Sequence, residues 1–242
     1  MQNTILIDKK LAKMVAHRGL SGLEAENTCA AFVAAGNHSY YGIETDVHVT
    51  ADGQFVVIHD DNTARVSDLA LSVDHSTREE LSKVQLYSNV RAQAPTRQDL
   101  VIPDLADYIR ICQFYGKIPV LELKNRIETA DIARMVETIR QLGYLDETLF
   151  ISFNWDNMVD LRTMLPGQKL QFLTCLWDDD LPKQLKAHNM DLDIKYTELT
   201  EERIALLHSL GIEVNAWTVD TQDNAERLAS WGVDYITSNI LE

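Results

Sequence analysis

Two histidines and three carboxylates stand beside short apolar runs in the first quarter of the chain. His17-Arg18 follows Met14-Val15-Ala16, Glu44-Thr45-Asp46 follows Tyr40-Tyr41-Gly42-Ile43, and His59-Asp60 follows Phe55-Val56-Val57-Ile58. A further run, Val120-Leu121-Glu122-Leu123-Lys124, supplies another carboxylate and a cation. Histidines exchange protons near neutral pH, so His17 and His59 suit a general base and a general acid. Glu44, Asp46 and Glu122, brought to one point, repel each other unless a cation lies between them. Hard oxygen donors favour Mg2+ or Ca2+ over zinc. Arg18 and Lys124 could hold a phosphate, Arg through two parallel hydrogen bonds and Lys as a point charge, or could pair with the same carboxylates. Any one carboxylate could be a solvated strand end or half of a salt bridge. Three of them with two histidines point to one pocket that holds a divalent cation and an acid–base pair.

The elements that must position these groups follow from hydrophobic periodicity. Apolar runs bounded by turn residues read as buried strands. Candidates centre on Val15, Ile43, Val120, Phe150, Phe172, Leu192, Val214 and Tyr235. Helical spacing separates most of them. One helix starts after Asn27 and stops near Gly36; Leu105, Tyr108, Ile109 and Cys112 form the apolar stripe of another that ends at Gly116. Ile132, Met135, Val136 and Ile139 repeat the spacing before Gly143, and later helices end near Gly211 and Gly232. Eight strand–helix units predict a parallel sheet closed into a TIM-type (β/α)8 barrel, with its active site at the C-terminal strand ends. An open doubly wound sheet is the alternative, lowered by the lack of a Gly-rich nucleotide fingerprint after any strand. Asp52-Gly53 predicts a hairpin, and a turn centred on that dipeptide places His59 opposite Asp46. Residues 60–102 read as a polar insertion beside the strand ends, with one short helix opened by a Thr77/Glu80 capping box. One barrel domain then spans residues 1–242.

Charge and length bound the function. The 242 residues carry a formal charge of −15, so a general nucleic-acid footprint is excluded, and acidity argues against an anionic membrane surface. An anionic small-molecule partner is compatible, because a metal and a few cations can set the local field. Lys9, Lys10 and Lys13 precede no long apolar run, so neither a secretory signal nor a bilayer span is expected. Cys29, Cys112 and Cys175 are far apart in apolar contexts, which fits buried thiols in a reducing, cytoplasmic setting. No sequence feature sets an oligomeric state.

Other residues have two readings. Thr28 reads as a helix cap, and Glu26 and Asn27 fit either the site or the turn before that helix. Trp217, in Asn215-Ala216-Trp217-Thr218-Val219, and Phe153, after Ile151-Ser152, could pack in the core or wall an organic substrate. His38, His48, His75, His188 and His208 lack supporting neighbours and read as surface or structural residues.

Taken in order, these motifs resemble the glycerophosphodiester phosphodiesterase family. The pieces are His17-Arg18-Gly19, Glu26-Asn27-Thr28, Glu44-Thr45-Asp46-Val47, Thr50-Ala51-Asp52-Gly53, Val56-Val57-Ile58-His59-Asp60, Leu121-Glu122-Leu123-Lys124, Ser152-Phe153 and Ala216-Trp217-Thr218-Val219. Gly232-Val233-Asp234-Tyr235-Ile236-Thr237-Ser238 is similar to the family's closing strand. The chain departs from the family at Ala25, where Pro is usual, and at Asn239-Ile240, where Asp and Pro are common. The resemblance implies a TIM-type barrel with an insertion after His59-Asp60. It also implies a divalent cation on Glu44, Asp46 and Glu122, with His17 as base and His59 as acid. The implied reaction is hydrolysis of a small glycerophosphodiester to sn-glycerol 3-phosphate and an alcohol. A lysophospholipase D acting on lipids and a catalytically silent binding barrel are the alternatives.

Overall fold

Eight parallel strands close on themselves in the computed structural model, which describes residues 3–87 and 97–242. They are β1 (Lys13–Ala16), β2 (Gly42–Val49), β4 (Ile118–Leu123), β5 (Leu149–Ser152), β6 (Leu170–Thr174), β7 (Asp191–Lys195), β8 (Val214–Trp217) and β9 (Tyr235–Ser238). β3 (Phe55–Val57) pairs antiparallel on β2, and β1 bonds to both β2 and β9 to complete the ring. All eight expected strands are present, and the closed barrel replaces the open-sheet alternative.

Helices α1 (Cys29–Gly36) and α3 (Leu105–Tyr115) to α8 (Gln222–Ser230) cover the outside. α4 (Thr129–Gln141) buries Ile132, Met135, Val136 and Ile139, the four residues whose spacing predicts it. Burying each such side chain contributes roughly 1.5–3 kcal/mol relative to leaving it exposed. Thr28 caps α1 by accepting from Ala31 N at 3.2 Å, and Gly116 ends α3 in the left-handed conformation. Strand residues alternate between this outer layer and the barrel interior. The lower interior is apolar, with Val15, Val120, Leu149, Ile151, Leu173 and Tyr235 in one cluster. One pleat further along the same faces stand His17, Glu122, Phe153 and Trp217. The strand period that fills the core therefore also aims the polar groups into the barrel mouth.

The hairpin differs from expectation by one residue. Val47 pairs with Val57, His48 with Val56 and Val49 with Phe55, so Asp46 lies across from Ile58 and not from His59. The turn between Thr50 and Gln54 holds three residues, with Gly53 at φ +73°, where a two-residue Asp-Gly turn was expected. Its centre moves to Asp52 and the register shifts. Ile58 N still donates to Asp46 O at 3.1 Å, but the strand has ended, and His59 reaches the barrel mouth on chain that no longer obeys strand alternation.

The segment after the hairpin carries α2 (Arg78–Leu81), with both bonds of the Thr77/Glu80 capping box formed. Val66, Val73, Leu81, Val84, Leu100 and Ile102 close a small apolar cluster against Ala25 and Val56. Residues 88–96 of the expected insertion lie outside the described residues. The cysteines depart from the expectation of three buried thiols: Cys112 is buried, Cys29 half-buried and Cys175 exposed just after β6. No helix among the described residues is long and apolar enough to cross a membrane.

Asp191, at the start of β7, generates a stability prediction. Burial pushes its carboxyl up to about 6; a hydrogen bond from Glu213 N opposes this, and the Glu213 and Asp234 carboxylates add to it. Between pH 4 and 6 the unfolded chain gives up this proton more readily than the folded one, so the residue's contribution falls as pH rises. Asp191→Asn is expected to stabilise the protein by about 1–2 kcal/mol at pH 7.5, after discounting for partial exposure. The gain should vanish near pH 4. Urea denaturation at the two pH values checks this, and equal gains at both would contradict it.

Candidate active site

Glu44 and Asp46 share the inner face of β2, and Glu122 enters from β4, where Asp46 and Glu122 are direct register partners. One oxygen from each of the three lies within 4.8 Å of the others, and all three side chains are buried. Like charges at that distance repel by roughly 3–4 kcal/mol per pair at an effective dielectric near 20. Two cations answer three carboxylates. Lys124 Nζ lies 2.8 Å from Glu122 and 3.3 Å from Asp46, and Arg18 Nε lies 3.7 Å from Asp46. The result is unequal. Burial would raise the Asp46 carboxyl, but Lys124, Arg18 and His59 outweigh it and hold Asp46 below the usual range. Burial, together with the charge on Asp46, pushes Glu122 up to about 8 and Glu44 well above the carboxylate range. Asp46 Oδ1 is buried without an aligned hydrogen bond. Three hard oxygen donors, two of whose carboxyls are raised above their ordinary range by burial and by one another for want of positive charge, fit a divalent cation.

Backbone turns bring the remaining groups in. Arg18 and Asn27 both adopt φ +53°, and Asn27 N donates to Arg18 O at 3.0 Å. This turns Arg18 N onto Glu44 Oε2 at 2.7 Å. Gly19 follows at φ +76°, where a Cβ would lie 2.7 Å from Ala31, so a side chain there would push α1 off the turn. Asn27 is buried; its Nδ2 donates to Asp46 Oδ2 at 2.8 Å and its Oδ1 accepts from Thr45 Oγ1 at 2.7 Å. The open reading of Asn27 thus becomes a support for a carboxylate of the cluster. Glu26 pairs with Arg18 at 2.9 Å and with Arg65 at 2.7 Å.

The two histidines are held differently. Asn239 Nδ2 donates to Asp220 Oδ2 at 2.5 Å, an oxygen that can only accept. That orients Asn239 Oδ1 toward His17 Nδ1 at 2.7 Å, so Nδ1 carries the hydrogen and Nε2 keeps the lone pair. Burial, then the Arg18 charge, lowers His17 to about 4 against the pull of Asn239 and Asp46, which makes the ring neutral at physiological pH. His59 Nδ1 lies 2.5 Å from Asp60 Oδ1, and Asp60 is gripped by Arg65 Nε at 2.6 Å. The His59 ring is thus held by a carboxylate and the His17 ring by an amide oxygen.

The cleft above is lined by His17, Glu44, His59, Glu122, Phe153 and Trp217, with Asp193 among the other walls. Phe153 and Trp217 meet edge to face, ring centres 5.6 Å apart, so the two aromatics form one wall. Arg18 also lines this cleft, whereas Asp46 and Lys124 do not; they adjoin it through Glu122, the register partner of Asp46 and the ion-pair partner of Lys124. A wider cleft, lined in part by Tyr41, Asp146, Glu147, Gly167 and Lys169, opens elsewhere and contains no histidine. The sequence sets Asp60 beside His59 among the pocket groups without giving it a role, and it does not single out Arg65, Asp220 or Asp193. Asp193 alone had a legible signal: in Asp191-Leu192-Asp193-Ile194 acid and apolar residues alternate with the strand period. The others depend on loop geometry.

Residues 17–241 match the glycerophosphoryl diester phosphodiesterase family. The chain belongs to that family. It is a phosphodiesterase of that class, and the resemblance read from its motifs holds over almost its whole length. YhdW of Bacillus subtilis is 31% identical over 232 residues, covering 93% of each chain. A glycerophosphodiester phosphodiesterase of Caldanaerobacter subterraneus is 27% identical over 229 residues, again covering 93% of each. Among solved structures, an Oleispira antarctica phosphodiesterase in complex with the product sn-glycerol-3-phosphate superposes with a TM-score of 0.87. It is 26% identical, and the match covers 98% of this chain and 96% of that one.

The Asp220–Asn239 arrangement predicts a fixed His17 tautomer in this phosphodiesterase. At pH 7, long-range 1H–15N spectra should show the His17 proton on Nδ1. Asn239→Ala should give a tautomer mixture in the same spectra. An unchanged tautomer in the variant would contradict the assignment.

Proposed function

We propose that this phosphodiesterase is a cation-dependent enzyme that cleaves small glycerophosphodiesters to sn-glycerol 3-phosphate and an alcohol, with His17 as base and His59 as acid. One observation carries the reading. Both imidazoles have Nδ1 bound to an acceptor, which leaves both Nε2 atoms for a cleft shared with the buried carboxylates. Family membership supports the substrate class, and the sn-glycerol-3-phosphate held by the Oleispira phosphodiesterase supports the product.

Glu44, Asp46 and Glu122 would hold the cation, Mg2+ or Ca2+ by the hardness of the donors. When bound, it supplies charge neutralisation for the phosphate oxygens and acidity to a neighbouring hydroxyl. The chain's own residues do the rest. Arg18 Nε, buried without a hydrogen bond among the described residues and only 3.7 Å from Asp46 Oδ2, and Lys124 Nζ bind phosphate oxygens. His17 Nε2, neutral and lone-paired, takes the proton from the attacking hydroxyl: attack by water gives sn-glycerol 3-phosphate directly, and attack by the glycerol hydroxyl gives a cyclic phosphate that water then opens to it. As the P–O bond to the leaving alcohol breaks, His59 Nε2 gives its proton to that oxygen. Asp60 and Arg65 hold the His59 ring while its charge changes. Phe153 and Trp217 wall the organic part of the substrate. Unpaired cysteines support a reducing, cytoplasmic setting.

The test is a set of diesters assayed for sn-glycerol 3-phosphate release with and without chelator. Choline and ethanolamine diesters should be cleaved, activity should vanish on chelation, and Mg2+ or Ca2+ should restore it. His59→Ala should be crippled on these substrates and much less so on a nitrophenyl diester, whose leaving group needs no proton. His17→Ala should stay crippled on both. Full activity after metal removal, equal losses for His59→Ala on both substrates, or a higher kcat/KM for long-chain lysophospholipids would overturn the corresponding part of the reading.

A further inference from the structure

Inside the barrel, just below the catalytic cleft, lies a polar layer that the reaction as described leaves unused. Gln171 on β6, Asp193 on β7, Asn215 on β8 and Thr237 on β9 are all buried. Three of them satisfy one another in part: Asn215 Nδ2 donates to Gln171 Oε1 at 3.2 Å, and Thr237 Oγ1 donates to Asn215 Oδ1 at 3.1 Å. Asp193 is left out. Its β-bridge neighbours are Leu173, which offers no side-chain donor, and Asn215, whose side chain is engaged with Gln171 and Thr237. Asp193 is 2% exposed, and its Oδ1 is buried without a donor among the described residues.

A buried acceptor left without a partner keeps its full desolvation cost, and folded proteins rarely retain one that nothing fills. Among the described residues the group that could hold a metal is Glu44, Asp46 and Glu122, and Asp193 is not part of it. It lines the same cleft as His17, Glu122 and Trp217, and Trp217 Nε1 is a buried donor also without an acceptor among the described residues. The cleft therefore has a vacant acceptor and a vacant donor on neighbouring strands, the arrangement that receives an alcohol hydroxyl.

We propose that Asp193 is a specificity-determining residue that accepts a hydrogen bond from the terminal hydroxyl of the glyceryl group. This rests on the substrate class proposed above. The glycerol hydroxyl next to the phosphate belongs with the phosphate, the cation and His17. The terminal hydroxyl is one carbon further away and requires a polar partner at the cleft floor. A site built to hydrogen-bond a hydroxyl rejects an analogue lacking it, because its own buried group is then stranded.

The experiment compares sn-glycero-3-phosphocholine with its 1-deoxy analogue, 2-hydroxypropyl phosphocholine, which keeps the hydroxyl beside the phosphate. The wild-type enzyme should prefer the glyceryl compound by at least about tenfold in kcat/KM. Asp193→Ala should lose that much on the glyceryl compound and less than about twofold on the analogue, so that discrimination collapses. Asp193→Asn, which keeps the shape and one acceptor, should lie between and serves if the alanine variant does not fold. Parallel losses on both substrates would assign Asp193 a structural or water-holding role and overturn the proposal while leaving the phosphodiesterase reading intact. Unchanged discrimination in Asp193→Asn and Asp193→Ala would overturn it as well. A wild-type enzyme inactive on both diesters would overturn the substrate reading, and this proposal with it.

Discussion

Three carboxylates held within 4.8 Å of one another, at the mouth of a closed barrel, form the constraint around which the site is organised. Their closeness is a product of sheet geometry. Glu44 and Asp46 share a strand face by alternation, and parallel register sets Glu122 beside Asp46. Burial makes the repulsion expensive, and the neighbouring groups answer it. Lys124 and Arg18 supply positive charge, Asn27 donates to Asp46, and the left-handed turn at Arg18 points a backbone N–H at Glu44. These responses suffice to hold Asp46 low and not Glu44 or Glu122, whose carboxyls stay raised above their ordinary range.

The same economy of charge explains how a chain with formal charge −15 can serve an anionic diester. The overall field repels phosphate, but the local field at the barrel mouth is set by Arg18, Lys124 and whatever cation the carboxylates hold. It also accounts for two unlike histidines. His17 is buried next to Arg18 and bonded to a neutral amide, so its proton-free form is favoured. His59 is more open and bonded to a carboxylate that Arg65 holds in place. Environment, rather than residue type, makes the two rings unlike.

Much of this was legible in the sequence because it follows from local period. The eight strand runs, the stripe on α4 and the i, i+2 placement of Glu44 with Asp46 and of Glu122 with Lys124 need no long-range information. Turn geometry was less legible. Asp52-Gly53 announces a hairpin but not its length, and the third turn residue moved His59 out of register with Asp46. The partners of the histidines were harder still. Asp220 and Asn239 meet only when β8 and β9 lie side by side, and Asp60 and Arg65 meet within an irregular segment. Asp193 carried the strand period, yet a carboxylate with no neighbour in sequence gives no sign that its oxygen will be left unpartnered in a closed barrel.

The central claim is that the carboxylate cluster is built for a cation and holds protons in its absence. Calorimetric titration of metal-free protein with Mg2+ or Ca2+ at pH 7, repeated in buffers of different ionisation enthalpy, measures this directly. The account predicts release of about one proton or more per cation bound, the Glu122 proton among them. Binding with no proton release, or no binding of either cation, would contradict it.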